Sequence, residues 1–296
     1  MAVKGKTKFD IAFDIVNVTI LTLLVATYIY VLVFVVSASF SSPNAVYNGT
    51  VRLWPVDPTL EAYTRVFNEK MVWIGYRNSF FYMVIGTIVS VTMTVTAAYA
   101  LSRSDLPGRG IITGLFVFTM FFGGGIIPTY LIVMNLGLLD SLWALILPGA
   151  VSMSNVIIAR TFFVSGLPRD LLESAQIDGC GNTRFFLSIA LPLSKSIIAV
   201  LALFYAVGYW SDYFNAMLYI KTRTKYPLQL FLREILISAQ QSSAMTEDLV
   251  EQAQLMETAE IIKYALIVVA SVPMLIIYPF IQKHFVKGVM IGSLKG

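Results

Sequence analysis

Few side chains in this 296-residue sequence are suited to catalysis. It contains one histidine, His284, and one cysteine, Cys180. A single cysteine can form neither an intrachain disulfide nor a cysteine-based metal site. The H-E-x-x-H zinc motif, the G-x-S-x-G nucleophile turn and the G-x-x-x-x-G-K-[ST] phosphate loop are all absent from the sequence. We therefore expect no catalytic site, no metal site and no cofactor bound by this chain.

Aromatic and polar residues are concentrated in one stretch, residues 209–215, which follows a long apolar run. Asp212 is the clearest ionisable residue within an apolar segment, and such a residue should face protein or water. Aromatic rings beside hydrogen-bonding groups suit sugars, whose faces are apolar and whose edges carry hydroxyls. Trp and Tyr also mark the bilayer interface, so an anchoring role stays open. The candidate pathway residues in this stretch are Tyr209, Trp210, Asp212, Tyr213 and Asn215.

Helical periodicity divides this stretch between two faces. At about 100° per residue, Tyr209, Asp212 and Tyr213 share one face of a continuous helix. Trp210 and Phe214 lie towards another face. Burying a carboxylate against lipid costs about 2.5 to 3.5 kcal/mol at the bilayer centre, so we expect the Asp212 face to line a pathway.

A run of three glycines, residues 123–125, lies near the middle of another apolar segment, and Pro128 follows it closely. This pattern predicts a broken or kinked helix. Interrupted helices at the bilayer midplane often line substrate pathways, which makes Gly124 and Gly125 further pathway candidates. Glycines equally permit close helix packing, and that alternative stays open.

The connection at residues 164–196 carries the most local information. Pro168 suits the first turn of a helix, and Asp170 adds negative charge near the helix N-terminus. Gly179 suits the left-handed position that ends a helix. A short helix followed by a turn is therefore predicted.

A second short helix should follow this turn. Asn182 or Thr183 can cap its N-terminus, and an interruption is expected near residues 191–192. The result is a helix-turn-helix outside the bilayer. Its apolar residues would need a partner's surface to cover them. These residues are Leu171, Leu172, Phe185, Phe186 and Ile189.

The composition shows which larger elements position these residues. The chain is 57% hydrophobic and 13% charged, and its apolar residues gather in runs of about 20, long enough to cross the bilayer as helices. The sequence therefore predicts an all-α integral membrane protein with six transmembrane helices. The predicted spans are 15–36, 80–101, 111–134, 142–163, 197–220 and 261–282.

Basic residues orient these spans. The net charge of +4 reflects Lys and Arg in short connections, and they are more frequent on the side that holds both termini. We therefore expect residues 1–14 and 283–296 to be cytoplasmic, flanking a six-span domain at 15–282. Nucleic-acid binding is not indicated. Two long outer loops, 37–79 and 221–260, either receive a partner protein or are simply tolerated surface loops.

The loop at 164–196 contains a spaced motif, with Glu173, Ser174 and Ala175, then Asp178 and Gly179, then Ile189, Leu191 and Pro192. By these residues the loop resembles the EAA loop of permeases from binding-protein-dependent ABC importers. Ser174 stands where the family has alanine, and Lys195 stands where it has proline. The resemblance covers nearly the whole chain and is closest to the smaller permease of maltose-type, alginate-type and related polysaccharide importers.

The resemblance implies a partner for each step of transport. A second, different permease would complete the pathway for an oligosaccharide or polysaccharide. Two ATPase subunits would bind ATP and magnesium and receive the motif residues as a coupling element. An extracytoplasmic solute-binding protein would deliver the substrate to a complex in the bacterial inner membrane. An alternative role for Glu173 is an intrahelical pair with Arg169, worth only about 0.3 to 0.5 kcal/mol.

Other functional classes fit less well. A secondary transporter or channel would need ion-coupling charges or inverted repeats, and neither is evident in six spans. A membrane-embedded enzyme would need a recognisable catalytic motif.

Overall fold

A computed structural model describes residues 7–245 and 249–293. This part of the chain is helical and contains no β-strand, which confirms the predicted all-α class. The helices are α1 (Lys8–Ser39), α2 (Pro43–Tyr47), α3 (Glu61–Asn68), α4 (Lys70–Ser102), α5 (Arg109–Phe121), α6 (Ile126–Asn135), α7 (Leu142–Ile146), α8 (Met153–Gly166), α9 (Arg169–Ile177), α10 (Asn182–Phe185), α11 (Leu191–Leu193), α12 (Lys195–Ser211), α13 (Phe214–Tyr219), α14 (Leu228–Met245) and α15 (Leu249–Ser293).

Three described helices are long and apolar enough to cross a membrane, namely Lys8–Ser39, Lys70–Ser102 and Met256–Pro279. Three further candidates are helix pairs that bend sharply at a short break. If each pair crosses the membrane once, the described chain has up to six spans, and that count stays a prediction. The pairs are Arg109–Phe121 with Ile126–Asn135 (114°), Leu142–Gly149 with Met153–Gly166 (56°), and Asn182–Leu193 with Lys195–Ser211 (79°).

The break between α5 and α6 falls at the glycine run, as predicted. Gly125 has a φ of 83°, a left-handed value that glycine adopts without steric cost. Pro128 lies in the first turn of α6, where its missing N–H removes no helical hydrogen bond. Local residue type is therefore sufficient to cause this interruption.

Two other predicted spans also break, at places that were not predicted from the sequence. The predicted span 142–163 passes through a 3₁₀ turn at Leu147–Gly149 before α8 begins. Pro148 removes a backbone donor there, which disfavours a continuous helix. The helix in the predicted span 197–220 stops at Ser211, because Asp212 has an extended ψ of 95°.

One compact unit comprises residues 1–69 and 233–271. In its described part, the chain after α1 folds back in a compact loop. The Ser37 hydroxyl donates to the Leu53 carbonyl at 2.7 Å, and the Ser41 hydroxyl accepts from the Val56 amide at 3.0 Å. The first part of the predicted outer loop 37–79 is thus folded.

The other compact unit comprises residues 70–232 and 272–296 and contains both candidate sites. Its helices α4, α8 and α12 pack together around a buried apolar cluster. Hydroxyl pairs tie α4 to α12, with Thr94 and Tyr205 at 2.6 Å and Ser90 and Tyr209 at 2.8 Å. A Cβ at Gly86 would lie 2.7 Å from the Tyr209 ring, so glycine there permits this close approach.

Candidate functional site

The first helix of the 164–196 loop ends as its sequence predicts. Gly179 adopts a φ of 75°, and its amide donates to the Gln176 carbonyl at 3.0 Å. The Cys180 amide donates to the Ala175 carbonyl at 2.8 Å. This pair of bonds is the Schellman arrangement, and the predicted left-handed end at Gly179 is confirmed. Pro168 is the N-cap residue and precedes the first turn of α9.

The second helical part of the loop differs from the prediction in two details. Gly181 is the N-cap residue of α10, one position before Asn182. Pro192 lies within α11, directly after the π-helical turn Phe186–Ala190, and the helix continues to Leu193. The sharp bend occurs instead at Ser194, before α12.

The loop covers most of its own apolar residues. Phe185 is 2% exposed and forms a buried cluster with Ala175 and Ala190. The expectation that a partner must cover this set is therefore wrong. The partly buried apolar residues packed against the cluster include Leu171, Leu172, Phe186, Ile189 and Tyr99 of α4.

The opposite face of α9 points outward. Ile177 is 87% exposed, which is unusual for an isoleucine on a folded helix. Glu173, Ser174 and Gln176 are exposed on the same helix. Among the other predicted coupling residues, Asp178 is the exposed C-cap residue and Ala175 is buried. Ile189 and Leu191 are half-buried, and Pro192 is exposed.

A cavity of about 300 Å³ brings together three of the predicted pathway residues. Tyr209, Asp212 and Asn215 line it, with Tyr205 and Ser211 beside them. Helices α7 and α12 contribute most of the remaining wall. The cavity combines aromatic, hydroxyl, amide and carboxylate groups, a set that can bind a polyhydroxylated ligand.

The structure separates the other aromatic residues from this cavity. Trp210 is 2% exposed and packs against Tyr76 and Phe80 of α4, so its burial is structural. Tyr213 is exposed and follows the end of α12. The expectation that a continuous helix places Tyr213 on the face of Asp212 is wrong, because the helix has already ended.

Asp212 has a local structural role as well. Its carboxylate accepts hydrogen bonds from the backbone amide of Asn215 at 3.1 Å and from the Asn215 side chain at 2.9 Å. These bonds stabilise the start of α13, as short polar side chains commonly do at helix N-termini. Asp212 and Asn215 therefore form one polar unit at the cavity wall.

The glycine run has open surroundings within the described chain. A Cβ at Gly123 or Gly125 would meet no atom within 4 Å, and one at Gly124 would approach only Pro128, at 3.7 Å. Close helix packing, the alternative role, is thus not seen at these positions among the described residues. Lining of a pathway by Gly124 and Gly125 stays a prediction.

Asp140 anchors a second polar cluster, which was not predicted from the sequence. Its carboxylate accepts hydrogen bonds from the amides of Lys221 and Thr222 and from the Lys225 ammonium group at 2.8 Å. Asp140 lies in the loop between α6 and α7 with a φ of 58°. Burial acts to raise the pKa of Asp140, but the hydrogen bonds from Lys225 and Thr222 outweigh it and hold the pKa well below its ordinary value.

Helix α4 also contacts residues 224–226, a segment that includes Lys225, the partner of Asp140. The Asn78 side-chain amide donates to the carbonyls of Thr224 at 2.8 Å and Tyr226 at 3.0 Å. The Tyr82 hydroxyl donates to the Lys225 carbonyl at 2.7 Å. A polar residue in a turn was the only sequence signal for Asp140, since its partners lie more than 80 residues away.

Comparison with known proteins identifies the class. Residues 71–291 match the family described as the binding-protein-dependent transport system inner membrane component. The chain belongs to this family, as its loop motif predicts, and is a multi-pass inner-membrane protein. ABC importers that use such permeases contain a partner permease, ATPase subunits and a binding protein.

Two curated relatives are similar over most of their length. Protein LplC of Bacillus subtilis (strain 168) is 44% identical over 98% of this chain and 97% of its own. The polygalacturonan/rhamnogalacturonan transport system permease protein YtcP of the same organism is 46% identical, covering 89% of this chain and 91% of its own.

One solved structure shares the architecture. It is a chain from the crystal structure of a bacterial ABC transporter involved in the import of the acidic polysaccharide alginate. The TM-score is 0.83 at 31% sequence identity, covering 96% of this chain and 100% of that one.

Proposed function

We propose that this chain is the permease subunit of an ATP-driven importer for oligosaccharides or polysaccharides. It forms the pathway with a second, non-identical permease and couples to two ATPase subunits through residues 164–196. An extracytoplasmic solute-binding protein delivers the substrate, and both termini are cytoplasmic. ATP and magnesium are bound by the ATPase subunits and not by this chain.

The outward face of α9 is the observation that carries this proposal. The Schellman turn at Gly179 and the buried cluster around Phe185 fix α9 from behind. Ile177 and Glu173 are then left on a rigid, exposed surface. A short helix held this way can transmit displacement from a partner to α12, because the loop continues into α12 through α10 and α11.

The cavity beside Asp212 supports a carbohydrate as the transported substrate. Its hydroxyl, amide and carboxylate groups match the hydroxyl edges of a sugar, and Tyr205 and Tyr209 provide aromatic surface. The carbohydrate polymers named for YtcP and for the alginate importer agree with this chemistry. Asp212 and Asn215 would hydrogen-bond the substrate from one side of the pathway.

Uptake by reconstituted proteoliposomes tests the proposal. The chain, its partner permease and the ATPase subunits are incorporated together, and entry of a labelled oligosaccharide is measured with the binding protein present. We expect uptake to require ATP on the ATPase side and the binding protein on the other. Uptake driven by a proton or sodium gradient without ATP would instead support a secondary transporter.

A further inference from the structure

A second cavity of about 300 Å³ lies behind the loop at residues 164–196, the proposed coupling loop. Its walls are the C-terminal end of α4, the turn that follows, the first turn of α5, the end of α8 and the inner side of α9. The outward face of α9, with Glu173 and Ile177, does not line it. A volume of about 300 Å³ lies at the lower end of the range for small-ligand pockets.

Three arginines surround this cavity. Arg103, Arg109 and Arg160 all line it, and Arg103 is paired with the Asp105 carboxylate. Asp105 accepts two hydrogen bonds from Arg103, at 2.8 and 2.6 Å, and its side chain is 59% exposed. The described lining therefore has an excess of positive charge, which favours an anionic ligand.

Contacts with the end of α4 orient two of these guanidinium groups. Arg160 donates from Nε to the Leu101 carbonyl at 2.9 Å, and Arg109 donates from Nη1 to the Arg103 carbonyl at 3.2 Å. Each guanidinium group has five N–H donors. Most donors of Arg109 and Arg160 thus have no bond to another described residue and are available to a ligand.

Two polar atoms of cavity-lining residues, the Tyr99 hydroxyl and Nη1 of Arg103, are buried without a hydrogen bond of normal geometry among the described residues, although the two side chains interact with each other. A buried donor left unsatisfied costs about 1 to 3 kcal/mol, and more for a charged group. Folded proteins rarely retain such groups without a partner such as water, an ion or a ligand. An oxygen-bearing group that reaches Arg103 from the cavity would complete its hydrogen bonding.

We propose that this cavity binds a phosphate group, held by Arg103, Arg109 and Arg160 between the coupling loop and the end of α4. A phosphate oxygen accepts paired hydrogen bonds from a guanidinium group, and several oxygens can satisfy several arginines together. Val164, Leu167 and Leu172 provide an apolar wall for the substituent of the phosphate. The phosphate belongs either to an anionic lipid headgroup or to a soluble anion.

Binding at this place stabilises the coupling loop. The ligand contacts α4 and α8 on one side and Leu172 of α9 on the other, so it reduces movement of α9 relative to those helices. The site is separate from the transport pathway beside Asp212 and from the exposed face of α9. Its occupancy would therefore adjust coupling without competing with the sugar or with the ATPase subunits.

The test measures thermal unfolding of the full-length chain, purified with the subunits that accompany it, in lipid nanodiscs. Inorganic phosphate is titrated at constant ionic strength against chloride in phosphatidylcholine nanodiscs. In a second arm, nanodiscs with and without phosphatidylglycerol are compared in the absence of phosphate. Saturable stabilisation by phosphate identifies a soluble anion, and stabilisation by phosphatidylglycerol alone identifies a lipid headgroup.

Three variants assign the effect to the cavity. Arg160→Gln should weaken the binding of the active anion about tenfold or more, since it removes charge-assisted hydrogen bonds. Ser104→Trp keeps every arginine but fills the cavity from an exposed turn, and it should block binding without loss of charge. Arg184→Gln removes an exposed arginine of the same loop that does not line the cavity, and it should bind as the original chain does.

Several results would overturn the proposal. These are a response that chloride reproduces, an equal loss in Arg184→Gln, and no response to either source of phosphate. The last result would mean that an acidic side chain of a partner subunit, or water, satisfies the arginines. Binding is measured without transport, so its failure would leave the proposed permease function unaffected.

Discussion

Gly179 carries the strictest backbone requirement in the coupling loop. Its φ of 75° lies in the left-handed region, yet a Cβ there would meet no atom within 4 Å. A substitution is therefore disfavoured by the backbone conformation alone, at a cost of about 1 to 2 kcal/mol. The sequence was sufficient to locate this residue, because the constraint depends on residue type and on neighbouring positions in the chain.

We expect Gly179→Asp to weaken ATPase binding or to uncouple hydrolysis from transport while membrane insertion is retained. The matched control is Gly181→Asp, which adds the same charge two residues later. Gly181 has a φ of −69° and is the N-cap residue of α10, a position that favours aspartate. Co-purification of the ATPase subunits and uptake are measured for both variants. Equal behaviour of the two would show that the left-handed turn is unimportant.

Asp140 makes the stability of the fold depend on pH. Unlike the constraint at Gly179, its contacts join residues that are distant in the sequence. Its pKa in the folded chain lies well below its ordinary value, owing to Lys225 and Thr222. Above about pH 4 the carboxylate is ionised in both the folded and unfolded states, and the stabilising contribution is fully present. Below that pH the unfolded state takes up a proton first, and the contribution is progressively lost.

We therefore expect the protein to lose stability more steeply below about pH 4 than Asp140→Asn does. The asparagine variant should be less stable at neutral pH, because it removes the charge that faces Lys225. Thermal unfolding in detergent across this pH range measures both effects. Parallel pH profiles for the two proteins would contradict the assigned role of Asp140.

At the scale of helices, some breaks were predictable and others were not. The break at the glycine run 123–125 was predictable from residue type alone. The end of α12 at Ser211 was not predictable, because an aspartate at position 212 is compatible with a continuous helix. In the structure Asp212 instead accepts a hydrogen bond from the Asn215 amide at the start of α13. Trp210 was equally ambiguous, since its burial depends on Tyr76 and Phe80 of a distant helix.

Single-cysteine scanning tests which side of this broken helix faces the pathway. In a Cys180→Ser background, cysteines at 209, 212 and 215 should react with a polar thiol reagent and be protected by transported sugar, because these positions line the cavity. A cysteine at 210 should react little, since Trp210 is buried. A cysteine at 214 is the exposed control outside the cavity, and sugar should not protect it. Protection confined to 210 and 214 would place the pathway elsewhere.

At the scale of the whole molecule, the proposed permease supplies a pathway and a coupling surface, and its sequence contains no phosphate-loop motif. The helical class and the loop motif were predictable because apolar runs and glycine positions are local properties. The burial of the loop's own apolar residues around Phe185 was not predictable, since it depends on how α9, α10 and Tyr99 of α4 pack. Under the proposed function, energy for transport comes from ATPase subunits that contact the exposed face of α9.

Release of phosphate from ATP tests this central claim most directly. It is measured for the purified chain alone, for the complex with ATPase subunits, and for a complex whose ATPase subunits lack the lysine of their phosphate loop. We predict hydrolysis only in the intact complex. Sustained hydrolysis by the purified chain alone, or an undiminished rate in the lysine variant, would contradict the account of this protein as a permease without an ATP site.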